Sequence, residues 1–208
     1  MGQMCQYQPL TKEDRITVIL YRTGIVLSTL MVGLAALLAL ISRYGQGLGD
    51  YPFIISGAGM NVLLLTLYLS VGLSVFFIHL YVGKFYRILK KIYYAGVLCL
   101  GVLFFIGHGN PVLPLFRTPP FGALLLLPLS LCLGFVTAKE AFCFKLFEGY
   151  LLAVIMPAYL FFYGTGLATE RGIVTGLVIV AGLLLLFMFR KVFMPLHCDI
   201  GDKSAYQP

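Results

Sequence analysis

Charge is scarce in this chain. Asp, Glu, Lys and Arg together supply 11% of its 208 residues, and only eight of these are acidic. So little charge cannot cover a soluble globule of this length, which excludes an ordinary water-soluble domain. Catalytic signatures are missing too: the chain has no H-E-x-x-H and no G-x-S-x-G, and its five cysteines form no C-x-x-C pair. No histidine and acid fall together in mid-membrane, so the chain is expected not to be an enzyme.

What is present is apolar. Hydrophobic residues make up 60% of the sequence and the mean hydropathy is +0.96. A hydrocarbon layer about 30 Å thick needs about 20 helical residues per crossing. Runs of that order cover Gly24–Ser42, Ile55–Tyr81, Phe121–Ala138 and Gly172–Phe189, with shorter ones at Ile92–His108 and Gly149–Tyr163. Backbone polar groups in lipid must be satisfied within the segment, and no ten-residue alternation suggests a barrel. The predicted class is therefore all-α, a polytopic bundle of six transmembrane helices. Residues 1–20 form an N-terminal arm, 21–189 the membrane domain and 190–208 a C-terminal tail. Glu13 and Asp14 precede the first apolar run, which ends without a small-x-small site, so it is expected to stay as an anchor. Thr11-Lys-Glu-Asp14 can cap it.

Basic residues near helix ends resist translocation. With six crossings, one side holds Lys12, Arg15, Arg22, Lys84, Arg87, Lys90, Lys91, Lys139, Lys145, Arg190, Lys191 and Lys203; the other holds only Arg43, Arg117 and Arg171. Both termini are thus expected in the cytoplasm, with the plasma (inner) membrane as the location, or the thylakoid if the source is photosynthetic. The net charge of +7 reports topology, not nucleic-acid binding. GKFYRILKKIYY, residues 83–94, reads as an interfacial collar of cations and aromatic rings against lipid headgroups.

The fourth connector, KEAFCFKLFEGY, adds acids that orientation does not require. If the segment is one helix, Glu140 and Glu148 share a face with Phe144 between them. An ionisable group near hydrocarbon pairs or lines a polar cavity, so Lys139, Glu140, Cys143, Lys145 and Glu148 form the candidate functional cluster, with Glu148 foremost. The alternative is an interfacial ion pair, Glu148 with Lys145, or Glu140 with Lys139 or a neighbouring loop.

Three short motifs, Tyr21-Arg-Thr-Gly24, Lys139-Glu-Ala-Phe-Cys-Phe144 and Asp199-Ile-Gly-Asp-Lys-Ser204, occur in this order along the chain. Together they resemble an uncharacterised integral membrane protein family found largely in cyanobacteria. The resemblance implies a membrane fold over nearly the whole chain and marks these residues without assigning them roles. Tyr21, Arg22, Asp199, Asp202 and Lys203 are the candidate interface.

Other candidates compete with plainer roles. His79 and His108 lie at opposite ends of their helices, so they cannot stack as a pair; either alone could hold a haem or chlorophyll, or simply bond a carbonyl. Cys99 and Cys132 read as packing residues. Cys5, Cys143, His197 and Cys198 share the cytoplasmic side and could form a tetrahedral metal site, against the expectation of reduced, unpaired thiols. Pro119 and Pro120 start the fourth helix, while Pro128 and Pro157 fall inside helices and should kink them. Tyr21-Arg-Thr and Phe116-Arg-Thr precede helices from opposite sides, as an inverted repeat would. No cofactor can be read from the residues. Two functions follow: an accessory or assembly protein working with the subunits of a larger membrane complex, favoured by short connectors and a polar tail, or a small-solute or ion carrier using Glu140 and Glu148.

Overall fold

The structure is a computed structural model that describes residues 11–44, 57–80, 83–116, 120–196 and 199. Six helices in it are long and apolar enough to cross a membrane: α1 (Lys12–Tyr44), α2 (Gly57–Phe77), α3 (Gly83–Ile106), α4 (Leu127–Phe144), α5 (Phe147–Gly164) and α6 (Glu170–Val192). No strand occurs among the described residues.

Helix ends follow local chemistry more than the limits of the apolar runs. Thr11 caps α1 reciprocally: its hydroxyl accepts from the Asp14 N–H at 3.2 Å, and the Asp14 carboxylate accepts from the Thr11 N–H at 2.9 Å. Tyr21-Arg-Thr-Gly24 therefore lies inside α1 and does not open it. The collar at 83–94 is the first half of α3, because alternating cations and aromatics do not interrupt a helix. Its Tyr86 hydroxyl donates to the Phe76 carbonyl at 2.8 Å, and Lys90 sits 4.1 Å above the Tyr86 ring. Pro128 sits at the start of α4, where its missing donor costs little, after a 3₁₀ turn over Phe121–Leu126; only Pro157 is internal to its helix.

The expected connector from Lys139 to Tyr150 is almost entirely helical. Its first half completes α4 and its second half begins α5. Lys145 alone adopts a left-handed conformation, φ 54°, and terminates α4. Glu140 and Glu148 thus belong to different helices, which overturns the shared face expected of them.

Helices α1, α2, α4, α5 and α6 pack in succession around a common interior, and α3 stands outside, against α4, the 3₁₀ turn and α2. Close approach is set by small residues. A Cβ on Gly24 would lie 2.5 Å from the Ser70 carbonyl oxygen, and one on Gly149 would lie 2.4 Å from that of Thr137. These glycines let α1 meet α2 and α5 meet α4. Polar side chains point inward, including Ser28, Ser74 and Thr137, while Leu98, Phe105 and Val154 point outward. That distribution suits a chain whose surrounding solvent is lipid.

Candidate functional site: a buried ion network beneath an apolar cavity

Charge gathers at the end of the bundle that carries most of the basic residues. Glu140, wholly buried near the end of α4, accepts from the Tyr21 hydroxyl of α1 at 2.7 Å and from its neighbour Lys139 at 2.7 Å, both on Oε1. Its Oε2 meets the ammonium of Lys191, the buried residue near the end of α6. Lys191 also donates to Asp199 at 2.5 Å and lies 4.0 Å above the Phe144 ring. Asp199 accepts in turn from Arg22 Nε at 2.8 Å. The remaining Arg22 donors hold the carbonyls of Val192, Met194 and Pro195 at 3.0, 2.6 and 3.1 Å. One guanidinium on α1 thereby pins the strap that follows α6, using the fixed fork of donors that a lysine lacks.

Three cations, Arg22, Lys139 and Lys191, thus enclose two carboxylates, Glu140 and Asp199. Desolvation of such ions is costly and is offset only by close pairing and hydrogen bonds to the remaining lone pairs. Burial pushes the Asp199 carboxyl up, but its hydrogen bond from Arg22 and the charge of Lys191 outweigh this and hold it below the usual carboxylate value. His79, just beyond α2, has its Nε2 3.3 Å from the Thr17 hydroxyl, and its Nδ1 is buried without a hydrogen-bond partner. Burial, reinforced by Lys139, lowers its pKa. His108 follows α3 at the opposite end of the bundle, in a left-handed turn of φ 51°.

The structure thus joins what the sequence kept apart. Tyr21, Arg22 and Asp199, the expected interface residues, are turned into the chain and bonded to Glu140 and Lys191. Of the expected polar cluster, Lys139 and Glu140 enter the network as the pair anticipated for them. Glu148 is also buried, but its partner is Arg190, which donates to both carboxylate oxygens at 2.9 and 2.8 Å, and not Lys145. Cys143 is exposed. Asp202, Lys203, Cys5, His197 and Cys198 lie outside the described residues, so of the proposed metal ligands only Cys143 is placed. Arg190 and Lys191 were missed as site residues because cations at the end of an apolar run also serve as ordinary topology signals.

A cavity of about 780 Å³ occupies the other half of the same bundle. It reaches inward as far as Val71, Leu133 and Val180, and its opposite end is marked by Ser42 and Glu170. Between its floor and the ion network, in order along the helices, lie the buried side chains of Ile25, Val75, Val136, Leu152 and Leu184. The volume falls within the range of about 300–1,000 Å³ common for small-molecule sites.

Residues 73–207 match the model of a family described as uncharacterized integral membrane protein (DUF2301), and the chain belongs to that family. The matched region contains the Lys139–Phe144 and Asp199–Ser204 motifs; Tyr21–Gly24 precedes it. An uncharacterized protein of Haemophilus influenzae (strain ATCC 51907 / DSM 11121 / KW20 / Rd) is 28% identical over 200 residues, covering 96% of this chain and 95% of that protein. No solved structure matches the chain.

Proposed function

We propose that this integral membrane protein is a non-enzymatic carrier of a small solute, with its cytoplasmic end closed by the ion network. The observation that supports it is the stacking of a mid-membrane cavity, an apolar plug and a buried set of alternative charge partners within one ring of helices. An open cavity beside a closed polar end is one half of an alternating-access cycle. Lys191 is shared between Glu140 and Asp199, and Arg22 between Asp199 and three carbonyls, so the network has partners to exchange as the helix ends separate. The accessory reading rests on the short connectors and polar tail, and the inward-turned Tyr21, Arg22 and Asp199 take away part of the surface proposed for a partner. The proposed location is the plasma membrane, with lipid as the immediate surroundings and no role for nucleic acid.

The test is access to the cavity floor. In a chain otherwise free of cysteine, Leu67→Cys, in the lining one turn above the buried Val71, should react with a membrane-impermeant maleimide from the Ser42 and Glu170 side and be protected from the cytoplasmic side. Adding Asp199→Asn should raise cytoplasmic labelling several-fold while lowering labelling from the other side. Unchanged labelling from both faces, in protein that migrates with a larger complex in native separation, would favour the accessory role.

A further inference from the structure

We infer that the carrier is coupled to protons, and that the proton binds at His79 Nδ1 beside the ion network and favours the open form of that end; this rests on the carrier reading and names its coupling ion. The hydrogen bonds around the ring leave one nitrogen empty. Thr17, on α1, directs its hydroxyl hydrogen at the Glu13 and Asp14 carbonyls, at 3.1 and 3.0 Å. Its oxygen is left to accept, so the 3.3 Å contact with His79 is a bond donated by Nε2–H. Nδ1 is then the unprotonated nitrogen, a buried lone pair with no donor among the described residues. The ring as a whole is only partly buried, and it follows α2 at the end of the bundle that holds the network. Protons therefore reach it from the water on that side.

The charges around the ring decide what a proton does there. Lys139 and Glu140 act on it from α4, Asp14 from α1 and Asp199 from the strap after α6. Lys139 acts most strongly of the four and opposes a proton, whereas the three acids favour one. Those acids are already engaged. Glu140 serves Tyr21, Lys139 and Lys191, Asp199 serves Arg22 and Lys191, and Asp14 closes the cap of α1. An imidazolium would thus add a fourth positive charge to three cations that share two carboxylates. Its new N–H would also lack an acceptor while the end stays dry. Separation of the helix ends admits water, which solvates the imidazolium and screens Lys139 from it. Burial and Lys139 hold the pKa of His79 down in the closed form, and water returns it toward about 6.5. The open form therefore binds the proton more tightly, and the proton shifts the population toward it.

Access to Leu67→Cys in the full-length chain otherwise free of cysteine reads the opening. Sealed vesicles of both orientations are held at about pH 7.5 and about pH 5.5, on either side of the ordinary histidine value. Each maleimide rate is divided by that of the same cysteine in denatured protein at the same pH, which removes the titration of the thiol. On acidification, labelling from the network side should rise about five- to tenfold, while labelling from the Ser42 and Glu170 side falls. Unfolding would instead raise both. His79→Gln should stay closed at both pH values, and His79→Arg, a permanent cation at the same place, should be open at both. Should His79→Arg fail to fold, the parent and His79→Gln still decide the outcome. Acid-induced opening that survives in His79→Gln, labelling that rises from both faces alike, or no response in the parent would each overturn the inference. Asp199→Asn separates the two levels. If that substitution alternates access while acid does not, the carrier stands and the proton site falls. If acid opens the network side through His79 while the opposite face stays equally reactive, the proton site stands and the carrier falls.

Discussion

Lys191 shows how one side chain can change meaning between sequence and structure. Counted along the chain it is one of the basic residues at the end of a span; folded, it is wholly buried between Glu140 and Asp199. Removing one partner from such a pair leaves an uncompensated charge, which typically costs about 3–5 kcal/mol. Asp199→Ala should therefore lower the melting temperature markedly and expose the strap after α6 to protease, and Lys191→Met in the same chain should recover part of the loss. Acid should act in two stages. His79 has a lowered pKa in the fold, so protonation favours the unfolded chain, and stability should start to fall as pH drops through about 6.5. Asp199 has a lowered carboxyl pKa, so its contribution is fully present above about 3.9 and disappears only as pH falls through its folded value. Melting curves against pH should show both stages in the parent chain and lose the first in His79→Gln. A single acid transition unchanged by that substitution would contradict the burial assigned to His79.

At the scale of elements, the number of spans was legible because six runs were each long enough to cross hydrocarbon. Their ends were not, because charge interrupts an apolar run without interrupting a helix. Residues 83–91 therefore belong to α3, and Lys139–Phe144 belongs to α4. The Glu148–Lys145 pairing failed for a related reason: Lys145 is the left-handed residue where α4 stops, and Arg190 approaches Glu148 from α6. Sequence spacing carries no information about that tertiary approach. A non-glycine residue in the left-handed region is strained by about 1–2 kcal/mol, part of which glycine returns as lost chain entropy. Lys145→Gly should therefore raise stability by about 0.5–1 kcal/mol, read from denaturant midpoints, and a decrease would show that Lys145 makes a necessary contact. Arg190→Gln should cost only about 1 kcal/mol, because Arg190 is half exposed and its pair with Glu148 is screened accordingly.

For the whole molecule, the three motifs that resembled a membrane family acquire a common physical reason. Tyr21 and Arg22 of the first, Lys139 and Glu140 of the second, and Asp199 of the third meet in one network, and Gly24 sets the packing of α1 on α2 that brings the first of them there. Their convergence requires the ends of α1, α4 and α6 carrying these groups to lie on one side, as the twelve-to-three division of basic residues also demands. Topology therefore links the network, the cavity and the orientation. In intact cells, an impermeant thiol reagent should miss the exposed Cys143 and label a cysteine introduced at Leu167, an exposed residue between α5 and α6 on the opposite side. After the membrane is opened, Cys143 should become reactive. Labelling of Cys143 from outside, with Leu167→Cys protected, would invert the molecule: the ion network would face the exterior and the open end of the cavity the cytoplasm. On the carrier reading, the solute would then be loaded from within, and the carrier would act in the outward direction.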